Sequence, residues 1–391
     1  MKCSLTLIPL TLAAWCYAEF PPRIVEVSLD EPPKERWAPL MKMINVSYFR
    51  EIVPQIIDQF RQGEAEKLHP DIKPELEDLE AYMPRQYAGE IQGLASLSGV
   101  NITDIILLNF AYELTAFCTS IVAQDTNGRI YHGRNLDKPF NNNNESSSLF
   151  VKAARKLTVD ILFMRDGKVA YRGTSFAGYI GLWTGQSANK FTISGNQRDD
   201  GFSLENVTLA SWLIRETLEE AASYKDALER LSKVPIITHI YYIVAGVQPG
   251  EGAVVTRNSS GEADVWELDP PHGQWFRVQT NYDHWNPPPD TDKHRTPTIN
   301  ALNATGQENI TFDSLFKVLT VYPTCDETTI YTTVMSAGTP EKYCTVVREK
   351  CIQIKICSDS KGITSVGLIC IIISISIIIF VCLFLWCKYR N

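Results

Sequence analysis

Residues 117–137 read Phe117-Cys118-Thr119-Ser120-Ile121-Val122-Ala123-Gln124-Asp125-Thr126-Asn127-Gly128-Arg129-Ile130-Tyr131-His132-Gly133-Arg134-Asn135-Leu136-Asp137. Residues 119–124 form a β-rich apolar run, 125–128 are a turn signal ending in Asn-Gly, and 129–134 run back, which together predict a hairpin. Pairing through that turn returns Arg134 and Asp137 toward Cys118, so a thiol, a fixed cation and a carboxylate converge. A cysteine opening a strand is ordinarily a small hydrophobe. Its company here points instead to a reactive thiol, whose pKa an adjacent Arg lowers from about 8.5. His132 shares a strand phase with Arg134, but a neighbouring guanidinium disfavours its imidazolium, so it reads as structural.

Outward from this hairpin, residues 157–164 and 169–175 form a second one around Asp166-Gly167. Further strands are expected at 191–194, 241–247, 253–256, 264–268, 275–280 and 329–335, with helices at 207–231 and 312–319. Upstream, 24–27 is extended. Leu40, Ile44, Phe49, Val53, Ile56 and Ile57 recur at helical spacing, with Pro54 kinking or restarting the helix. Helices at 87–97 and 104–114 follow, the second capped by Thr103. Trp37, Phe49 and the run 105–108 read as a core face, with a bilayer-docking face as the competing account. Residues 141–148 read as a polar loop. Antiparallel hairpins alternating with helices imply an α+β fold of two stacked sheets with helices outside.

The chain has 391 residues, 45% of them hydrophobic, and a formal charge of −8, which is enough for a large core and excludes the basic face that nucleic acid requires. Residues 1–18 have the short apolar core of a signal peptide. Seven glycosylation sequons, at Asn45, Asn101, Asn144, Asn206, Asn258, Asn303 and Asn309, agree with a luminal body. Residues 344–362 read as a juxtamembrane stalk, 363–387 as one transmembrane helix and 388–391 as a cytosolic tail. Five luminal cysteines remain, Cys118, Cys325, Cys344, Cys351 and Cys357. Four can pair in an oxidising lumen, with Cys118 as the natural odd one out.

Several motifs carry a family resemblance: residues 117–125, His132-Gly133-Arg134-Asn135-Leu136-Asp137, Gly181-Leu182-Trp183-Thr184-Gly185, Thr280-Asn281-Tyr282-Asp283-His284-Trp285 and Ile330-Tyr331-Thr332-Thr333-Val334-Met335. In this order the chain resembles the acid ceramidase family of choloylglycine hydrolase-like N-terminal-nucleophile hydrolases, over about residues 20–343. The resemblance implies a four-layer αββα sandwich and self-cleavage between Phe117 and Cys118. The products would be a helical α subunit (19–117) and a catalytic β subunit (118–343) that stay together as a heterodimer. It implies lysosomal hydrolysis of fatty N-acylethanolamines to fatty acid and ethanolamine, with Cys118 as nucleophile and neither cofactor nor metal. Arg134 and Asp137 would position the reacting groups, and Asn281 would donate to the oxyanion or orient the amine. Gln197-Arg198 stands where the family shows Glu-Arg, and Lys293-His294-Arg295-Thr296 where it shows Asp-Arg-Arg-Thr, so Gln197, His294 and Arg295 are candidate substrate or oxyanion contacts. The partners implied are a lipid amide and the membrane. The alternatives are ceramide hydrolysis and a non-catalytic, membrane-tethered lipid-binding homologue.

Overall fold

The computed structural model describes residues 19–63, 83–113, 118–137, 145–202, 208–259, 261 and 263–352. The expected signal peptide, Phe117, Asn144, Asn206, Cys357 and the segment 363–387 lie outside the described residues. Among the described residues, no helix is long and apolar enough to cross a membrane.

The chain enters with β1 (Glu19–Phe20) and β2 (Arg23–Ser28), then forms α1 (Ala38–Met43), α2 (Val46–Gly63), α3 (Arg85–Ser98) and α4 (Ile102–Glu113). The first hairpin is β3 (Cys118–Gln124) and β4 (Ile130–Leu136), followed by α5 (Glu145–Leu157) and the hairpin β5 (Thr158–Arg165) and β6 (Lys168–Phe176). Next come β7 (Thr184–Ser187), β8 (Phe191–Phe202), α6 (Ala210–Glu220), α7 (Tyr224–Lys233), β9 (Thr238–Ala245), β10 (Gly252–Arg257) and β11 (Ala263–Glu267). β12 (Phe276–Gln279), α8 (Arg295–Thr305), α9 (Phe312–Leu319), β13 (Tyr331–Met335) and β14 (Cys344–Arg348) complete the described elements.

Two sheets result among the described residues, in strand orders β1-β14-β13-β4-β3-β12 and β11-β10-β9-β8-β7-β6-β5-β2. They stack with β3 over β8 and β9. On the outside, α8 and α9 pack against β12, β4 and β13, while α6 and α7 cover β7 to β10. Both hairpin turns require backbone that favours glycine, with φ of 85° at Gly128 and 69° at Gly167. At Gly133 of β4 an added Cβ would lie 2.8 Å from Leu319 Cδ1, so α9 sits directly on that strand.

Several expectations need correction. The amino-terminal region is not helical alone, because β1 pairs with β14 and β2 runs parallel to β5, so it enters both sheets. Pro54 lies within one continuous helix, α2, whose start is set by Asn45 Oδ1 accepting from Tyr48 N at 3.0 Å. Asn101, not Thr103, caps α4, since its Oδ1 accepts from Thr103 N at 2.8 Å. The helix expected over 207–231 is two, broken where Ser223 caps α7 by accepting from Asp226 N. Helix α5 begins inside the expected polar loop, and α8 and β7 went unforeseen. The stalk expected from residue 344 begins instead with β14, whose Thr345 and Val347 are buried in register with β13.

Trp37, Phe49 and Ile105 to Leu108 all lie in the main core, as the core-face reading expects. A disulfide joins Cys325 to Cys351, Cys344 is also disulfide-bonded, and Cys118 is buried and stands outside the disulfides.

Candidate active site

In the β3–β4 register Cys118 lies opposite Leu136, Ser120 opposite Arg134 and Val122 opposite His132, which puts these alternate residues on one face. That face meets the second sheet. Ser120 Oγ donates to Asn196 Oδ1 at 2.9 Å, and His132 bridges Thr192 Oγ1 at 2.9 Å and Ser194 Oγ at 2.8 Å. Burial, reinforced by Arg134, drives His132 down to about 3, so it is a neutral spacer between sheets, in keeping with its structural reading.

Arg134 is fully buried, and both of its terminal nitrogens are engaged. Nη1 donates to Trp183 O and, at 2.9 Å, to Gly195 O, while Nη2 reaches Cys118 Sγ at 2.7 Å. The Cys118 backbone nitrogen donates to Asn281 Oδ1 at 2.9 Å, and Asn281 Nδ2 donates to the Gln197 carbonyl at 2.7 Å. Asn281 therefore turns its acceptor to the nitrogen of the nucleophile residue, the geometry of an amine-orienting group. Gln197 joins the site through its backbone.

The expected acidification of the thiol does not hold in the uncut chain. Burial pushes the Cys118 thiol up to about 11, outweighing the downward pull of Arg134 and of the Asp137 backbone N–H. The thiol is thus neutral at acid and neutral pH, and a base must take its proton as it attacks.

Asp137 follows β4, with Oδ1 accepting from Thr329 Oγ1 at 2.6 Å. Burial raises its carboxyl to about 6, although His294 pulls it down. His294 Nδ1 lies 3.6 Å from Asp137 Oδ2, and Nε2 lies 3.9 Å from Asp326 Oδ2. Arg295 turns elsewhere, its guanidinium 4.5 Å from the Tyr282 ring centroid and donating to Tyr282 O at 3.3 Å. Of the two neighbours, His294 reaches the site.

Sequence reasoning missed Asn196, whose Nδ2 donates to Gln279 O at 2.9 Å and to Cys118 O at 3.4 Å, clamping the strand that carries the nucleophile. Its phase with Ser194 in β8 was the available signal. Nothing local marks Thr329 or Asp326, which arrive through tertiary contact. A pocket of about 100 Å³ lies between residues 280 and 294, lined among others by Asn281, Tyr282 and His294. Among the described residues no cluster could hold a metal ion.

A cysteine opening a strand of stacked sheets, its thiol against a buried guanidinium and its nitrogen held by an amide, defines an N-terminal-nucleophile hydrolase. The family model of linear amide C–N hydrolases, choloylglycine hydrolase family, matches residues 118–297, beginning at this cysteine. The N-acylethanolamine-hydrolyzing acid amidase of Cavia porcellus is 47% identical over 86% of this chain and 94% of its own length. Acid ceramidase of Homo sapiens is 34% identical over 83% and 87%. The solved Caenorhabditis elegans N-acylethanolamine-hydrolyzing acid amidase ortholog superposes with a TM-score of 0.50 at 34% identity, over 57% of this chain and 95% of that one. The chain belongs to the choloylglycine hydrolase family of linear amide hydrolases, and its cysteine nucleophile is Cys118.

Proposed function

We propose that the chain hydrolyses fatty N-acylethanolamines to fatty acid and ethanolamine after cutting itself between Phe117 and Cys118. The observation that carries this is the double hold on one residue, Sγ by Arg134 and backbone nitrogen by Asn281. Maturation begins when Cys118 Sγ attacks the Phe117 carbonyl carbon and the peptide nitrogen leaves as the α-amine. Water then hydrolyses the thioester, freeing a Phe117 carboxylate and the thiol. In turnover the α-amine takes the thiol proton as sulfur attacks the substrate amide, then passes it to the departing ethanolamine nitrogen. Water hydrolyses the acyl thioester and regenerates the thiol. Arg134 fixes the sulfur, Asn281 orients the amine, and Asp137 positions the pair.

The relatives of higher identity carry the N-acylethanolamine name and the ceramidases follow at lower identity, which favours the ethanolamine amide over ceramide. The contacts of Arg134 and Asn281 with Cys118 argue against an inert scaffold. We place the enzyme in the lysosomal lumen. Residues 363–387 would anchor it, and Asn45, Asn101, Asn303 and Asn309, exposed in the fold, would carry glycans with the half-buried Asn258.

Purified protein brought to acid pH should split into two bands, the larger carboxyl-side fragment starting at Cys118, and should release ethanolamine from N-palmitoylethanolamine. Cys118→Ser should do neither. An uncut chain with full turnover, or faster ceramide cleavage, would overturn the reading.

A further inference from the structure

His294 is held at every point. Its backbone N–H donates to Asp292 Oδ1 at 2.9 Å, and its carbonyl accepts from Thr298 Oγ1 at 2.7 Å and Thr324 Oγ1 at 3.4 Å. Its ring lies between two carboxylates from different elements, Asp137 at the end of β4 and Asp326 before β13, with Thr119 Oγ1 of β3 at 3.5 Å. Asp137 Oδ2 is buried and has no hydrogen-bond partner among the described residues, so the imidazole 3.6 Å away is the group placed to compensate it. With 21% of its side chain exposed, the same ring also lines the pocket next to Asn281.

We infer that His294 is a positioning residue for the reaction, an imidazolium strut braced on Asp326 that sets the orientation and charge of the Asp137 carboxylate beside Cys118. This rests on the amidase reading above and adds to it the group that governs Asp137.

Burial lowers the His294 pKa, but the facing Asp326 carboxylate and the charges of Asp137 and Asp292 more than reverse this and hold it at about 9. Arg295 and Lys293 adjoin it in sequence, and the Arg295 guanidinium is turned to Tyr282. The imidazolium therefore persists through the acid and neutral range and is lost as pH rises through about 9. A neutral substitute would leave Asp137 buried without its cation and push its carboxyl further up.

The test uses the full chain. His294→Gln should lower kcat by about 10- to 100-fold with KM nearly unchanged, the scale of losing a second-tier orienting partner. Its acid limb should move to higher pH. His294→Arg should restore kcat to within about threefold and abolish the alkaline limb near pH 9, because guanidinium does not titrate there. A structural histidine would show neither the rescue nor the altered limbs, and wild-type kcat in His294→Gln would overturn the inference.

If the wild type failed to turn over N-palmitoylethanolamine, the amidase reading would fall while the strut could still be judged. In uncut Cys118→Ala protein, NMR titration of the six histidines, with His294 assigned by its loss in His294→Gln, reads the pair directly. Asp137→Asn should lower the His294 pKa by a unit or more. An unchanged value would overturn the strut on its own.

Discussion

At Cys118 burial and a buried cation act against each other. Desolvation raises the thiol pKa and Arg134 lowers it, and burial wins because the low-dielectric interior penalises the thiolate more than one engaged guanidinium repays. Arg134 is better understood as a geometric anchor, since its planar fork reaches two carbonyls and one sulfur that a lysine ammonium cannot span together. Arg134→Lys should therefore leave a carbonyl or the sulfur unmatched. We expect kcat to fall by about 100- to 1,000-fold and stability by about 2–4 kcal/mol, checked by steady-state kinetics and urea unfolding. Retained kcat would show that charge alone suffices.

Among elements, the short connection before β13 supports the site more than its length suggests. Thr329 donates to Asp137, Asp326 faces His294, and Arg155 of α5 donates to Thr329 O at 2.8 Å and Glu327 O at 2.9 Å. The Cys325–Cys351 disulfide pins its start, closing a separation of 26 residues. In the chain-entropy view such a loop contributes about 3–4 kcal/mol to stability. Cys351→Ser should lower the thermal midpoint and also depress kcat, because the segment carrying Asp326 and Thr329 gains freedom. Differential scanning calorimetry with parallel kinetics checks both, and a loss of stability with unchanged kcat would separate the disulfide from the site.

Across the molecule, the amino-terminal region is woven into the rest by backbone pairing and by a buried ion pair. Arg215 of α6 binds Glu90 of α3 with both terminal nitrogens, at 2.6 and 2.8 Å, and Glu90 also accepts from Trp37 Nε1 at 2.8 Å. Breaking such a pair from one side typically costs about 3–5 kcal/mol, so it fastens α3 firmly to α6.

Three buried carboxyls give the whole protein a pH preference. Burial raises Glu113 to about 7, and Asp137 and Asp160 to about 6. A raised carboxyl binds its proton more tightly folded than unfolded. Its stabilisation is complete below the ordinary carboxyl range and is lost as pH climbs through 6 to 7. His294, raised to about 9, acts in the same direction at higher pH, while His132, lowered to about 3, opposes below its ordinary range. The thermal midpoint should be higher at pH 5 than at pH 7.5, and Glu113→Gln should flatten the difference. A midpoint that rises toward neutral pH would contradict this account.

The sequence by itself determined the hairpin that carries the nucleophile. Strand alternation and an Asn-Gly turn are local signals, and register follows from the turn, so the convergence of Cys118 and Arg134 was legible. The stacked sheets with outer helices were legible from the same alternation. Only the tertiary structure decided what lies on the far side of Asp137. His294, Asp326 and Thr329 reach it from segments more than 150 residues away. No periodicity encodes such distances. The same holds for β1 and β14, too short to read alone and formed because the sheet edge supplies their hydrogen bonds. It holds also for the thiol, whose state depends on how much protein surrounds it, a property of packing that a linear neighbour such as arginine cannot report.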